Sequence, residues 1–125
     1  MNRIRVAIPV QDKRGLEDEI FEHFGHAPYF LLVDVENNEI TTIEIVENPY
    51  ASQHGPGLVP QFLKEKDVNV LICMGIGRRA LDFFNRLGIE VITGAMGKVE
   101  EILNEYLKGS LASREYTPAR KWGDL

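Results

Sequence analysis

The sequence predicts an α/β protein in which a five-stranded mixed sheet, with strand order 3-2-1-4-5, packs against three helices. Two observations carry this prediction. Five apolar runs have the length of strands, and each of the last three is followed by a segment whose apolar residues recur at helical spacing. At 125 residues, 44% of them hydrophobic and 26% charged, the chain is long enough for one domain with its own core.

The five apolar runs differ in pattern, and the pattern places each strand. The first alternates up to Pro9, which cannot donate to a ladder and so predicts the end of that strand. The second and third flank a turn at Asn37-Asn38, which predicts a hairpin. The fourth is almost purely apolar, as in a strand covered on both faces. The predicted strands cover residues 4–8, 29–35, 40–46, 68–73 and 89–92.

Three helices are predicted from the spacing of the apolar residues. They cover residues 58–66, residues 78–87, and the segment between Gly97 and Gly109. A short helical turn is predicted near residues 16–21. We expect residues 1–109 to form a single domain and residues 110–125, which show no clear period, to form a tail. We expect this tail to be frayed; the alternative, which Trp122 suggests, is that it docks on its own chain or on a neighbouring one.

Bulk properties exclude several classes of function. The formal net charge is −5 and the Lys and Arg residues are scattered, which argues against binding duplex nucleic acid. No apolar run reaches membrane-spanning length, and Met1 is followed closely by a predicted strand rather than a signal peptide. The single Cys73 excludes an internal disulfide and a closed site built from thiolates of one chain. This cysteine usage suits a reducing cytoplasm.

The stretch from Phe21 to Phe30 places two histidines and several aromatic residues around one glycine, just before the second strand. We expect Gly25 to adopt a backbone angle that a residue with a Cβ would resist, so that His23 and His26 point into one space. The alternative is a loop whose phenylalanines plug one end of the sheet while its histidines are solvated.

The predicted topology brings four loops to one edge of the sheet. The first, third, fourth and fifth strands run parallel, so the loops that follow them meet at their carboxyl ends, where open α/β sheets bind ligands. All three histidines and the only cysteine lie in these loops or at a strand end beside them. The candidate metal ligands at this edge are His23, His26, His54 and Cys73.

Neutral imidazole and thiolate suit iron, zinc or copper, whereas glycines at helix starts expose N–H groups that suit an anion. The candidate cofactor-binding residues are therefore His23, Gly25, His26, His54, Gly75, Gly77, Arg78 and Gly97. Several of the candidate site residues also have a simpler interpretation. Gly75-Ile76-Gly77 is also typical of a tight strand-to-helix turn, Cys73 of a buried apolar residue, and His54 of an exposed loop residue.

Several segments of the chain resemble the dinitrogenase iron–molybdenum cofactor biosynthesis family, the group that contains NifX, the NafY core and the C-terminal part of NifB. The segments that carry the resemblance are Ile8-Pro9-Val10, His23 to Phe30, Glu47-Asn48-Pro49, His54-Gly55, Gly75 to Ala80, and Gly88 to Gly97. They extend over the chain up to about Leu111.

The resemblance implies a ribonuclease-H-like fold and the binding or carriage of an iron–sulfur or iron–molybdenum cluster or its precursor. His23, in His-Phe-Gly, is the ligand that it implies. Donor and acceptor proteins of the cluster would be the partners, and an oligomer is compatible with the resemblance. The radical-SAM half seen in NifB is absent from this chain, so the resemblance implies a cluster binder rather than an enzyme that builds the cluster.

Two other functions compete with non-enzymatic cluster binding. A small regulatory domain could bind a phosphorylated metabolite at the segment Gly75 to Arg79. A metal-dependent nuclease would need several carboxylates that converge on the sheet. The nearest strand candidates for a nuclease are Asp34 and Glu44, and both alternate with core residues and are expected to face solvent.

Overall fold

The computed structural model describes residues 3–53, 55, 57–111 and 113. The strands are β1 (Arg3–Val10), β2 (Tyr29–Glu36), β3 (Glu39–Glu47), β4 (Val70–Ile72) and β5 (Glu90–Ile92). The helices are α1 (Leu58–Glu65), α2 (Arg78–Leu87) and α3 (Val99–Leu107). Every strand and helix predicted from the apolar pattern is present, although β4 and β5 are shorter than the apolar runs that contain them.

The five strands form one mixed sheet in the order β3-β2-β1-β4-β5. β2 runs antiparallel to β1 and to β3, whereas β4 runs parallel to β1 and to β5. The predicted α/β class, strand order and strand directions are therefore confirmed. As a consequence, β1, β3, β4 and β5 all end at the same edge, which we call the carboxyl edge.

The sheet separates two apolar clusters, so the domain has three layers. On one face α3 covers the sheet, and its Val99, Ile102 and Leu103 are buried against residues of β1, β2, β4 and β5. On the other face α1 and α2 cover the sheet, with Leu63 and Phe84 fully buried. A sheet covered on both faces explains why β4 consists only of buried apolar residues.

β1 continues through Pro9 to Val10, so the prediction that the strand ends at Pro9 is wrong. The carbonyl of Pro9 accepts a hydrogen bond from the N–H of Phe21 (2.8 Å), on the side of β1 away from β2. The ring nitrogen of Pro9 points to that same side, where β4 pairs only with Val6 and Ala7. Proline therefore interrupts no ladder hydrogen bond at this position.

The long loop between β1 and β2 contains two short 3-10 turns, at Gly15–Glu17 and Phe24–His26. The sequence predicts one helical turn near residues 16–21, so the first turn lies slightly earlier than predicted and the second was not foreseen. We call residues 11–28 the histidine loop.

A partly buried ion pair joins the strands at the end of the sheet opposite the carboxyl edge. Arg5 donates from Nε to Oδ1 of Asp34 (2.8 Å) and from Nη2 to Oδ2 (3.2 Å), and the hydroxyl of Thr42 donates to the same Oδ2 (2.8 Å). Arg5 also donates to the carbonyl of Lys66 at the end of α1 (2.9 Å). The expectation that Asp34 faces solvent is wrong. Its side chain is buried, and its partner Arg5 lies directly opposite on β1. Glu44 is exposed, as predicted.

The described start of the tail contacts the domain. Leu111 packs against the α3 side of the core, and the hydroxyl of Ser113 lies 3.2 Å from the N–H of Thr93 and 3.4 Å from the carbonyl of Val91. Trp122 lies outside the described residues. Among the described residues, no helix is long and apolar enough to cross a membrane.

Candidate functional site

The four loops at the carboxyl edge meet as the topology predicts, and the histidine loop contacts each of the other three. Its His23 forms a parallel bridge with Gly75, which follows β4. Its Ile20 donates to the carbonyl of Gly97, which follows β5 (3.1 Å). Its His26 contacts Ala51, which follows β3. The histidine loop thus extends across the whole edge.

A buried carboxylate shapes the first half of the histidine loop. Asp18 is fully buried, and its two oxygens accept hydrogen bonds from the N–H groups of Asp12 (3.1 Å), Arg14 (3.3 Å) and Glu19 (3.0 Å). The guanidinium of Arg14 lies 3.4 Å from Oδ1 of Asp18. The carbonyl of Asp18 accepts from the N–H of Val99 (2.9 Å), which ties the loop to the start of α3.

Phe24 anchors the second half of the histidine loop in the core. Its ring is buried and packs against that of Phe84 on α2, with centroids 5.7 Å apart. His23 and His26 flank this anchor, and the N–H of His26 donates to the carbonyl of His23 (2.9 Å), which closes the turn. Phe24 therefore plugs the end of the sheet, as the simpler interpretation of this stretch expects, while both histidines stay at the surface.

The two imidazoles are held differently. Nδ1 of His26 lies 2.9 Å from the carbonyl oxygen of Ala51. A carbonyl only accepts, so the neutral ring carries its proton on Nδ1 and its lone pair on Nε2, the arrangement common in histidines that bind metals. His23 is about one-third exposed. Its Nε2 lies 3.7 Å from Oε1 of Glu22, and its ring meets the edge of Phe21.

A surface pocket of about 140 Å³ opens beside His26. It lies between the histidine loop, the loop after β3, the start of α1 and the first turn of α2. The residues that line it are Phe24, Gly25, His26, Tyr50, Gln53, Gly55, Leu58, Val59, Pro60 and Ala80. Of the predicted site residues, the pocket brings together Gly25 and His26, whereas His23 and Gly75 are paired through their backbones instead.

The unusual backbone angle predicted for Gly25 is wrong. Its φ angle is not positive, so the backbone there is one that any residue can adopt. A Cβ built on Gly25 would meet no atom within 4 Å, so the glycine leaves the backbone open at the rim of the pocket. Close approach of a ligand, rather than an unusual backbone angle, is what this glycine can provide.

The two helix starts predicted to bind an anion differ. At α2, Gly77 and Arg78 are exposed and no side chain caps the helix. At α3, the region around Gly97 is occupied by the histidine loop, which uses the N–H of Val99, and the first turn carries Glu100 and Glu101. Carboxylates at a helix start repel an anion, so α3 does not offer the anion site predicted for it. The prediction for α2 stays a prediction.

Cys73 lies in the core, not in the site. It is fully buried among the apolar residues on the α1 and α2 side, and burial raises the pKa of its thiol to about 12. Metals bind the thiolate, which is scarce at such a pKa. This placement matches the alternative of a buried apolar residue, and we leave Cys73 out of the proposed ligand set.

His54 lies outside the described residues. Within the part of the chain that the structure describes, no group of three or more His, Cys, Asp or Glu side chains is arranged to hold a metal ion.

Sequence reasoning missed Asp18 and the side-chain role of Asn48. Asp18 stands in an acidic run, and its composition gives no sign of burial. The signal that could have found it is alternation, because Asp18 lies two residues before the apolar Ile20; both are buried, whereas Glu17 and Glu19 are exposed. Asn48 is 6% exposed and donates to the carbonyls of Gly25 and Ala27, so it fixes the turn at Phe24–His26 from the loop after β3.

A family model described as dinitrogenase iron-molybdenum cofactor matches residues 2–109, most of the chain. The chain belongs to this family. The dinitrogenase cofactor family identified from the residue motifs is therefore confirmed, and with it the placement of the chain among NifX- and NifB-like proteins.

Three solved structures share the fold of this family member. PH0822 is 39% identical, with a TM-score of 0.80 over 89% of this chain and 96% of that one. A candidate NifB protein from Thermotoga (TM1290) is 32% identical, with a TM-score of 0.75 over 94% and 99%. The apo form of the orange protein from Desulfovibrio gigas is 25% identical, with a TM-score of 0.77 over 88% and 92%.

Proposed function

We propose that this member of the dinitrogenase iron–molybdenum cofactor family binds and carries an iron–sulfur or iron–molybdenum cluster, or a precursor of one, at the carboxyl edge of its sheet. His23 and His26 are the ligands in this proposal, and Gly25 lets the cluster approach the backbone. The observation that carries the proposal is the turn at Phe24–His26, with His23 directly before it. It is held at the edge of the sheet beside a pocket, with the His26 imidazole oriented by the carbonyl of Ala51 (2.9 Å).

The donor set favours a preassembled cluster over a single metal ion. Two imidazoles from the described residues cannot complete the coordination of a bare zinc or iron ion. A preassembled cluster brings its own bridging sulfides, and in this proposal the irons that the protein does not bind keep the terminal ligands with which the cluster arrives. In this proposal the cluster is cargo. The protein supplies imidazole donors and a fixed turn, and the partners are the proteins that donate and accept the cluster.

Anaerobic loading tests the proposal. The purified protein is incubated with a chemically preformed [4Fe–4S] cluster or with isolated iron–molybdenum cofactor, desalted, and assayed for iron per chain and for its visible absorption spectrum. Ferrous ion alone and zinc ion alone serve as comparisons. We expect stable loading by a cluster and weak loading by either free ion. If the wild-type protein retains neither cluster, the proposed function is wrong.

Variants locate the site within the same assay. We expect His23→Ala to abolish retention and His26→Ala to weaken it, while His54→Ala tests the histidine outside the described residues. Glu44→Gln, an exposed position on β3, and Cys73→Ala, in the core, are controls that should load normally. Equal loading of wild type and His23→Ala would show that the ligand assignment is wrong even if a cluster binds.

The phosphorylated-metabolite alternative rests on the exposed start of α2, where Arg78 and Arg79 follow Gly77. A thermal-shift comparison separates it from cluster carriage, because phosphate compounds should then stabilise the wild type and lose that effect in Arg78→Ala. The nuclease alternative loses its main carboxylate, since Asp34 is paired with Arg5 and Thr42 at the opposite end of the sheet.

A further inference from the structure

The side chain of Asn48 uses both ends of its amide. Nδ2 donates to the carbonyls of Gly25 (3.1 Å) and Ala27 (2.9 Å), and Oδ1 accepts from the N–H of Tyr50 (3.0 Å). The backbone N–H of Asn48 donates to the carbonyl of Pro28 (3.0 Å). One buried residue at the end of β3 therefore holds three backbone carbonyls of the histidine loop and the start of its own loop.

The partners determine which way the amide points. Two of them are carbonyl oxygens, which only accept, and the third is an N–H group, which only donates. Turned over, the amide would place its oxygen against two other oxygens and its NH₂ against an N–H. Aspartate has the acceptor but no donor, and serine has a single shorter donor. Asparagine thus matches all three partners, with two donors and one acceptor.

The contacts of Asn48 bear directly on His26. The two carbonyls that Asn48 holds belong to the residues immediately before and after His26, so the backbone of His26 is fixed relative to the loop after β3. That loop also supplies the imidazole's partner. The N–H of Ala51 donates to the carbonyl of Asn48 (3.4 Å), and the carbonyl of Ala51 lies 2.9 Å from Nδ1 of His26.

We infer that Asn48 is a positioning residue that fixes both the backbone of His26 and the carbonyl of Ala51. It thereby holds the imidazole as the Nδ1–H tautomer, in which Nε2 carries the lone pair that would bind a metal. The geometry is a property of the protein before any cluster binds. Its consequence for cluster affinity rests on the proposed function. Such outer partners of a ligating histidine fix its tautomer and strengthen it as a ligand.

The test is the ring-nitrogen NMR spectrum of protein labelled with ¹⁵N-histidine, recorded in alkaline buffer so that the imidazoles are neutral. The chain has three histidines, and His23→Ala and His26→Ala assign the signals. We expect the wild-type His26 to show a protonated Nδ1. In Asn48→Asp, where both donors are lost, we expect the His26 signals to move towards a mixture of tautomers. The signals of His23, which is paired with the loop after β4, should not move.

Asn38→Asp is the matched control, because it makes the same chemical change at an exposed turn at the other end of the sheet. It should leave the His26 signals as in the wild type. A general loss of structure would move the signals of all histidines in Asn48→Asp, whereas a positioning role moves those of His26. Unchanged His26 signals in folded Asn48→Asp would overturn the inference.

Cluster loading provides the second measurement. We expect Asn48→Asp to weaken retention of the cluster by about tenfold. In a double-mutant cycle, adding Asn48→Asp to His26→Ala should cause only a small further loss of cluster retention. A full additional effect in the His26→Ala background would also overturn the inference, because Asn48 would then act elsewhere.

Two provisions keep the outcomes distinct. If Asn48→Asp does not fold, the wild type and Asn48→Ser decide: an Nε2–H tautomer at His26 in the wild type, or unchanged His26 signals in Asn48→Ser, would overturn the inference. Asn48→Ser, which keeps one donor, should lie between Asn48→Asp and the wild type. If the wild type retains no cluster, the proposed function fails while the tautomer measurements still confirm or overturn the role of Asn48.

Discussion

The two ends of the sheet each contain a buried carboxylate, and they satisfy it in different ways. At the end opposite the carboxyl edge, Asp34 is 5% exposed, and its carboxylate contacts the side chains of Arg5 and Arg3 on β1 and of Thr42 on β3. At the carboxyl edge, Asp18 is fully buried, and most of its partners are backbone N–H groups of its own loop, at Asp12, Arg14 and Glu19.

The difference separates stability from shape. A carboxylate that binds side chains on other strands joins β1, β2 and β3, and Arg5 extends the contact to the end of α1. A carboxylate that binds backbone N–H groups of one loop fixes the course of that loop and little else. We therefore expect changes at Asp34 to lower the free energy of unfolding of the whole domain, and changes at Asp18 to loosen the edge that carries the histidines.

Asp34→Ala should have the largest effect on stability. It leaves Arg5, whose side chain is about one-fifth exposed, without its ion-pair partner in the sheet. Removing one member of a pair that is mostly buried is destabilising, and we expect a loss of about 3 kcal/mol in the free energy of unfolding, measured by urea denaturation. Cluster retention by the folded protein should be unchanged. If Asp34→Ala lowered the free energy of unfolding less than an exposed control such as Glu44→Gln does, the role given to this ion pair would be contradicted.

Asp18→Asn should cost about 2 kcal/mol, because an amide presents a donor to N–H groups that need an acceptor. Its distinguishing effect is local. Hydrogen exchange should accelerate at the amides of Asp12, Arg14 and Glu19 while the β1–β2 ladder stays protected. Cluster retention should fall, in contrast to Asp34→Ala. Uniform acceleration across the sheet would place Asp18 with Asp34 and remove the distinction between the two ends.

Acid should weaken the end of the sheet that contains Asp34. The hydrogen bond from the Arg5 guanidinium holds the pKa of Asp34 below its ordinary value of 3.8. A carboxyl whose pKa is lowered by folding stabilises the protein above its unfolded pKa, and that contribution is lost as the pH falls from about 3.8 through the lower folded value. Urea midpoints measured from neutral to acid pH should therefore fall in this range for the wild type. Asp34→Asn should show a shallower fall, and an equal slope would contradict this assignment.

Two glycine-to-alanine substitutions make the smallest comparison. Gly88 ends α2 at the end of the sheet opposite the carboxyl edge and has φ +77°, so alanine there should cost about 1 kcal/mol. Gly25, at the carboxyl edge, has no positive φ and open space around a built Cβ, so alanine should change stability by less than about 0.5 kcal/mol. Gly25→Ala should instead impair cluster retention. Normal retention in this variant would exclude close approach at Gly25.

Sequence patterns were sufficient for the architecture because each element carries its own periodicity. The apolar run that contains β4, the hairpin turn at Asn37-Asn38 and the helical spacing of α1, α2 and α3 all predict their elements independently. Strand directions then placed the four loops at one edge without any knowledge of side-chain contacts.

The details of the site could not be predicted in the same way, because they depend on contacts between residues distant in the chain. Asp34 occupies a polar position in its strand, yet it is buried because Arg5 lies opposite. Gly25 suggests an unusual backbone angle, yet the turn that contains it is an ordinary one. Cys73 is compatible with either role until its burial is known.

The attachment of the histidine loop to three other loops has a practical consequence for engineering the chain. Surface loops usually accept added residues, but this one is fastened at Gly97, Gly75 and Ala51 in turn, so a peptide tag placed within it would strain three attachments together. The hairpin turn at Asn37-Asn38 lies at the far end of the sheet and is the better place for a fluorescent label or a split-protein junction.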